Sequence, residues 1–319
     1  MLNKLLRSAI ACLFALPFIH AKALASDNKA SSALSHYIMG VMYEDLGDID
    51  KAIEEYTKAA KADNDTSSIH LNLASSYIKK SDFPKAIEEL KIASLLSPEA
   101  IEPHAILAIL YSSQNKLDLA TAEYEAALKN ASKLDPRNTE IYKGLGAVYL
   151  QGKKLKEAEG AYRMIIELAP NDAQAHFYLG SIYSESRNSS SAEKELIRAI
   201  ELKPDYHEAL NFLGYTYVEE NRNLIRAEGM IKKALQLDPN NGAYVDSLGW
   251  LYFKQRKYKE ALKELERAAS LIDDPVILDH LGDAYQKLNE AQKSRMNWEK
   301  SLKLDPNQEQ VKKKLEKIK

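Results

Sequence analysis

The sequence LGWLYFKQRKYKEALKELERA, residues 248–268, contains one copy of the pattern that decides the fold of this chain. Its Gly249 is preceded by a leucine and followed three residues later by a tyrosine. Ala261, Leu265 and Ala268 come after these at intervals of four and three residues. Spacings of three and four place side chains on one stripe of an α-helix. The segment therefore predicts two helices joined by a short turn, with a small residue where their backbones approach each other.

The same pattern occurs eight times between about Ala33 and Gln308. Its most regular marks are a glycine or alanine and a tyrosine three residues later: Gly40/Tyr43, Ala74/Tyr77, Ala108/Tyr111, Gly146/Tyr149, Gly180/Tyr183, Gly214/Tyr217, Gly249/Tyr252 and Gly282/Tyr285. Most copies end in a proline, namely Pro98, Pro136, Pro170, Pro204, Pro239 and Pro306. Proline cannot continue a helix, so these residues mark the ends of helix pairs. Between paired helices, we expect Gly47 and Gly152 to adopt the left-handed conformation that ends many helices.

This pattern resembles the tetratricopeptide repeat, a helix–turn–helix unit of about 34 residues with Leu-Gly, Tyr, Ala and Pro at fixed offsets. The resemblance implies an all-α fold, a right-handed superhelical α-solenoid of about eight repeats. The expected repeats 1 to 8 are residues 33–66, 67–100, 101–138, 139–172, 173–206, 207–241, 242–274 and 275–308. Residues 309–319 are expected to form a capping helix, with Val311, Leu315 and Ile318 on its apolar stripe.

The N-terminal segment 1–25 differs from the repeats. Lys4 and Arg7 form a basic start, residues 9–19 are an apolar run, and Ala23 and Ala25 flank a leucine before a candidate cleavage point. This order is typical of a secretory signal peptide, and the run is shorter than the roughly 20 residues that span a membrane. We therefore predict a signal peptide at 1–25, a short linker at 26–32 and export, to the bacterial periplasm. An uncleaved N-terminal anchor is the alternative.

Removal of this segment changes the charge and removes the single cysteine. The formal net charge is −2. Without Lys4, Arg7 and Lys22, and with no acidic residue lost, it becomes −5. An acidic chain is a poor nucleic-acid binder, and a chain without Cys12 has neither a disulfide nor a cysteine metal site. We expect no nucleic-acid partner and no membrane span after cleavage.

No catalytic motif interrupts the repeats. The chain has neither a His-Glu-x-x-His zinc motif nor a phosphate-binding loop, so we predict no enzymatic activity, cofactor or metal. His36, His70, His104 and His176 share the fourth position of their repeats. Equivalent positions in stacked helices are roughly 8–10 Å apart, too far to share one zinc ion. We therefore interpret these histidines as packing between repeats, with a pH-responsive array as the alternative.

In the tetratricopeptide repeat family, positions 2, 5, 9 and 12 of each first helix line a groove that binds peptides. Carried over to repeats 5 to 8, these stripes predict a partner-binding surface of Phe177, Asn211, Phe212, Tyr215, Asp246, Trp250, Phe253, Asp279 and Asp283. Exposed aromatic residues are typical anchors for a peptide. We expect Asn211 to hold the ligand's main chain and the aspartates to favour a basic portion. The alternative is that the aromatic residues pack between helices.

These features favour a non-enzymatic scaffold of the cell envelope. It would hold a protein or peptide ligand in the groove during envelope assembly, secretion or export. The alternative is a structural array that associates with itself, as a homo-oligomer, through its terminal repeats.

Overall fold

The computed structural model describes residues 28–317, and the fold in this range consists of seventeen α-helices without β-strands. In chain order they are α1 Asn28–Asp45, α2 Ile49–Ala62, α3 Ser67–Lys79, α4 Phe83–Leu96, α5 Glu102–Ser113, α6 Leu117–Leu134, α7 Thr139–Gln151, α8 Leu155–Leu168, α9 Ala173–Glu185, α10 Ser189–Leu202, α11 His207–Glu219, α12 Leu224–Leu237, α13 Gly242–Lys254, α14 Tyr258–Leu271, α15 Pro275–Lys287, α16 Ala291–Leu304 and α17 Glu309–Glu316. The predicted all-α repeat solenoid is confirmed. The predicted signal peptide at 1–25 lies outside the described residues.

The chain divides into two compact units, Met1–Ala161 and Tyr162–Lys319, with the boundary inside α8. In the first unit, α1 pairs with α2, α3 with α4 and α5 with α6, and each second helix also contacts the next first helix. The second unit repeats this arrangement from α9 to α16, and α17 packs on α16. None of the helices in residues 28–317 combines the length and apolar character needed to cross a membrane.

Each pair depends on a close approach at the small residue of its first helix. A Cβ atom added to Gly249 would lie 2.7 Å from Leu265 Cγ, and one added to Gly282 would lie 2.4 Å from Trp298 Cδ1. Alanine takes this place in repeats 2 and 3, where Ala74 is fully buried. A larger side chain would force the two helices apart, so the small residue sets the spacing within each pair.

The turn inside each pair contains a residue in the left-handed conformation at the same place, and the turn between α11 and α12 contains a second one, Asn223, with a φ of 52°. Gly47 has a φ of 77°, as predicted. The equivalent residues have φ between 51° and 62°, and they are Ser81, Asn115, Lys153, Arg187, Asn221, Arg256 and Asn289. The prediction for Gly152 is wrong, because its φ is −81° and Lys153 adopts the left-handed conformation instead. This conformation belongs to the seventh residue after the small one, and Gly152 is only the sixth.

The N-terminal helix is longer than expected. Whereas α1 has 18 residues, the first helices of the later pairs have 12 or 13. The expected linker at 26–32 is therefore helical from residue 28 onward. The segment 28–33 contains neither proline nor glycine, and its Ala33 is buried at 3% exposure. At the other end, Val311 of α17 is 1% exposed, and Ile318 lies outside the described residues.

Three glycine-to-alanine variants test the close approach. Alanine gains about 1 kcal/mol of helix propensity over glycine, and overpacking costs about 1–3 kcal/mol. We expect Gly249→Ala to cost less than Gly282→Ala, because the Leu265 side chain can shift, although the added Cβ would still lie 3.2 Å from the backbone nitrogen of Leu265. We expect Gly282→Ala to destabilise α15 and α16 by about 1–2 kcal/mol, because the Trp298 ring is rigid. Native-state hydrogen exchange of the backbone amides in these helices measures the change in their free energy of opening between each variant and the wild type.

Gly229 is the matched control, because an added Cβ there meets no atom within 4 Å. Gly229→Ala should therefore stabilise α12 by roughly 0.5–1 kcal/mol through propensity alone. Equal effects of the Gly282 and Gly229 variants would contradict the role given to the crossing point.

Candidate functional site

The nine predicted partner-binding residues lie on four first helices of the second unit. They are Phe177 on α9, Asn211, Phe212 and Tyr215 on α11, Asp246, Trp250 and Phe253 on α13, and Asp279 and Asp283 on α15. We call this set the candidate surface. Apart from Phe212, which directly follows Asn211, the helices contribute residues from the same stripe, because the small residue fixes which side faces the second helix of its own pair.

At one end of the candidate surface, the phenylalanines pack against other rings. Phe177 and Phe212 are both half-buried and meet edge to face, with ring centroids 6.1 Å apart. Phe177 also contacts Tyr206, at 5.1 Å between centroids. Such aromatic pairs add about 0.5–1.5 kcal/mol beyond the area that they bury. These two rings hold neighbouring pairs together and leave only their remaining faces to a ligand.

Trp250 is 8% exposed, so the expectation of an exposed indole is not met. Its ring is stacked between Phe253, at a centroid distance of 4.6 Å, and His280 of the next pair, at 3.9 Å. Its indole Nε1 donates a hydrogen bond to the Glu219 carboxylate. His280, on the first helix of the next pair, covers a face of the Trp250 ring that α13 alone would leave exposed.

His280, which the sequence did not single out, forms a buried ion pair with Asp246. Its Nδ1 lies 2.9 Å and 3.1 Å from the two carboxylate oxygens of Asp246. Burial disfavours the imidazolium, but the attraction of Asp246, Asp279 and Asp283 outweighs it and raises the pKa of His280 above its ordinary 6.5. Asp246 and His280 are 34 residues apart, about the length of one repeat. This separation was the only indication of their contact that the sequence offered.

The two aspartates of α15 are both paired with a single lysine of the chain itself. Lys314 of α17 lies with its Nζ 2.7 Å from Asp279 Oδ1 and 2.8 Å from Asp283 Oδ2. Burial raises the pKa of Asp283 above its ordinary value, although Lys314 opposes the shift. A basic group of a ligand would have to compete with Lys314 for these carboxylates. The sequence placed this lysine on the solvated side of a capping helix and gave no sign of the contact.

Asn211 and Tyr215 are one helical turn apart on α11 and therefore neighbours on one face. The Asn211 Oδ1 atom is buried, and no hydrogen-bond donor in residues 28–317 reaches it. Tyr215 is half-buried, and burial raises the pKa of its hydroxyl, with nearby carboxylates including Glu219 adding to the effect. The phenol is neutral near pH 7 and keeps its donor. Buried acceptors are rarely left without a partner, so Asn211 is the most informative residue of the candidate surface.

The four histidines of the shared fourth position form hydrogen bonds within their own repeats. Each contacts a glutamate of the second helix, always at the same sequence separation, with 2.6–2.7 Å between Nδ1 and Oε2: His36/Glu55, His70/Glu89, His104/Glu123 and His176/Glu195. The interpretation as packing between repeats is therefore correct only in part, because the glutamate draws each ring toward its own second helix. Among the described residues, no group of three potential metal ligands comes together.

In two of these histidines, Nε2 reaches the turn before the repeat. His70 and His176 approach the carbonyl oxygens of Asn64 and Pro170 at 3.2 Å and 3.1 Å. In repeat 4, the Tyr142 hydroxyl donates to the carbonyl of Pro136 at 3.0 Å. The fourth position thus ties the first helix to the preceding turn. The constant sequence separation between histidine and glutamate could have revealed half of this arrangement without the structure.

Comparison with known proteins gives a consistent picture. Family models described as tetratricopeptide repeat match residues 107–173, and residues 33–66, 173–206, 246–275 and 277–308, together more than half of the chain. A TPR repeat-containing protein of Pseudomonas aeruginosa is 32% identical over 69 residues, which are 22% of this chain and 12% of that protein. The chain therefore matches only a small part of this curated relative.

Two solved structures show the same fold at low sequence identity. A tetratricopeptide repeat protein from Parabacteroides merdae has a TM-score of 0.59 at 18% identity, covering 79% of this chain and 98% of that one. A chain of the APC/C hetero-tetramer Cut9-Hcn1 has a TM-score of 0.56 at 15% identity, covering 90% of this chain and 69% of that one. At these identities the likeness concerns the fold alone.

The Asp246–His280 pair makes the stability of the second unit depend on pH. The pKa of His280 is higher in the folded chain than its ordinary 6.5, so the folded chain holds this proton more tightly than the unfolded chain. The resulting stabilisation is complete below about pH 6.5 and is lost as the pH rises through the folded pKa. We expect the urea midpoint for α13 to α15 to fall over this range. His280→Phe should remove this part of the pH dependence, and an unchanged slope in the variant would contradict the assignment.

Proposed function

The chain belongs to the tetratricopeptide repeat family, and we propose that it binds an extended segment of a partner protein across its candidate surface. Tetratricopeptide repeats generally mediate contacts between proteins, and family members are generally scaffolds without enzymatic activity.

The unpartnered Asn211 acceptor carries the proposal. A main-chain N–H of a bound peptide would satisfy the Asn211 Oδ1 after a small rotation of the half-buried carboxamide. Tyr215, one turn along α11, would add a hydroxyl donor for a peptide carbonyl. Because main-chain groups occur in every peptide, these two contacts give affinity, and side-chain selectivity must come from the surrounding rings.

The rings and the carboxylates contribute in different ways. Phe177, Phe212 and Tyr215 are half-buried and can still offer apolar area to a ligand side chain. Trp250 is buried and supports the surface from below. At the far end, a lysine or arginine of the ligand would take the place that Lys314 occupies between Asp279 and Asp283.

An exported scaffold of the bacterial envelope is the setting that we propose. It is supported by the basic, apolar and small-residue order of residues 1–25 and by the loss of the single cysteine with that segment. A preformed helical surface binds without large rearrangement, which suits a protein that holds its partner during assembly, secretion or export. Self-association through a surface separate from the candidate surface is the second candidate function.

Peptide binding can be tested by selecting ligands from a displayed random library on the full chain. Asn211→Leu introduces the residue found at the equivalent Leu71 in repeat 2, so the fold should be kept. We expect the variant to raise the Kd of the selected peptides about 5- to 150-fold, which corresponds to the roughly 1–3 kcal/mol cost of one unmet buried hydrogen bond. Calorimetric titration measures this change.

The control is Asn240→Ala, in an exposed turn outside the candidate surface, and it should leave the Kd unchanged. The same Kd in the Asn211 variant as in the wild type would move the binding site elsewhere on the chain.

Export can be tested independently of binding. We expect the full chain, produced in a bacterium with two membranes, to appear in the periplasmic fraction with its N-terminus at Ser26 by mass spectrometry. Protein that retains Met1 and stays in the cytoplasmic fraction would overturn the proposed compartment. The proposed binding surface would then still be tested by the peptide titrations.

A further inference from the structure

The first helix of the array carries an uncovered apolar face. Large apolar side chains on or directly after α1 are exposed, and we call them the α1 face: Leu34 at 49%, Ile38 at 50%, Met39 at 37%, Met42 at 52% and Leu46 at 75%. A monomer rarely exposes a continuous apolar patch larger than a few hundred Å² without a function for it. In repeat arrays, the outer face of a terminal repeat is normally polar for solubility.

One of these residues, Met39, occupies a stacking position of the later repeats in the first unit. It corresponds to Leu73 and Leu107, which are at most 2% exposed. Leu73 packs in one cluster with Tyr56 of α2, and Leu107 packs with Leu90 of α4. This position therefore meets the second helix of the preceding pair. No preceding helix pair lies within residues 28–317, so α1 presents a stacking face that nothing in that range covers.

The spacing of the α1 face makes it complementary to itself. Leu34, Ile38, Met42 and Leu46 follow at intervals of four residues. Such a row forms a ridge, and in the commonest class of helix pairs two ridges of this kind interdigitate, each lying in a groove of the other helix. In an antiparallel pair with a two-fold axis midway between Ile38 and Met42, Ile38 of one copy faces Met42 of the other, and Leu34 faces Leu46. One patch then serves both copies, as a two-fold interface requires.

The exposed area is sufficient for such an interface. From their exposed fractions, the five side chains present on the order of 500 Å² of surface, so two copies would bury on the order of 1,000 Å², the lower bound for a specific contact. Their burial would also remove the cost of leaving these apolar side chains in water.

The other end of the array favours a closed dimer over a filament. The last helix pair is covered by α17, whose Val311 is 1% exposed, while its Lys313 is exposed to solvent. Head-to-tail growth needs an open stacking face at both ends, and α17 occupies the second one. We propose that α1 is the subunit interface of a two-fold symmetric homodimer, formed by antiparallel packing of its apolar face on the α1 face of a second copy.

The mass of the full chain in solution tests the proposal. Ile38→Asn/Met42→Ser introduces the residues that repeat 2 has at Asn72 and Ser76, so the helix should be retained, as circular dichroism can confirm. By multi-angle light scattering over a dilution series, we expect the mass of two chains for the wild type. The double variant should have the mass of one chain, with a dimer Kd raised at least about tenfold. Ile225→Glu, at a residue of α12 that is 89% exposed, should remain dimeric.

Crosslinking tests the antiparallel arrangement. In a Cys12→Ser background, we would mix protein carrying Ile38→Cys with protein carrying Met42→Cys and add a short thiol crosslinker. The mixed product should exceed both products of like with like, whereas a parallel arrangement would reverse this order and contradict the proposed packing.

Two results would overturn the dimer. They are a wild type that is monomeric at all concentrations and a double variant that stays dimeric. If the monomeric wild type also binds lipid vesicles through the α1 face, that face is a membrane-binding surface instead.

Discussion

The close approach of two helices at one small residue is the constraint on which the rest of the structure depends. Where Gly249 meets Leu265 and Gly282 meets Trp298, the space for a single methyl group is missing. This contact fixes the distance between paired helices and the rotation of the first helix about its axis. Because the same contact recurs in pair after pair, equivalent stripes of each first helix point in equivalent directions. The candidate surface of the second unit is a consequence of this repetition.

The chain satisfies most of the polar groups on that surface by itself. Asp246 is paired with His280, and Asp279 is paired with Lys314 of α17. Buried charges are tolerated only with such partners. Asn211 differs, because its carbonyl oxygen is buried and no donor in the described part of the chain reaches it. A ligand gains most where it supplies what the protein lacks, so the main chain of a peptide at Asn211 explains the surface better than a salt bridge to its aspartates.

The two ends of the array meet solvent in different ways. At the C-terminal end, α17 covers the last pair and turns charged residues outward. A polar outer face of this kind keeps the end of a repeat array soluble. At the N-terminal end, α1 is lengthened to 18 residues but leaves Ile38 and Met42 about half exposed. Each helix pair has a face on which a neighbouring pair can stack. At the C-terminal end α17 covers this face with a polar helix, and at the N-terminal end the face on α1 is open to a second copy of the chain.

The sequence by itself determined the all-α class, the phase of the repeats and the stripe that carries the candidate surface. These follow from local spacing, because residues three and four apart share a helix face whatever lies around them. Only the tertiary structure decided which of these side chains are exposed. Trp250 is covered by His280 of the next pair, the aspartates of α15 share an ion pair with Lys314, and each fourth-position histidine contacts a glutamate of its own repeat. Burial and charge pairing depend on how neighbouring helices stack. The spacing of residues within one helix does not determine the distances between side chains on different helices.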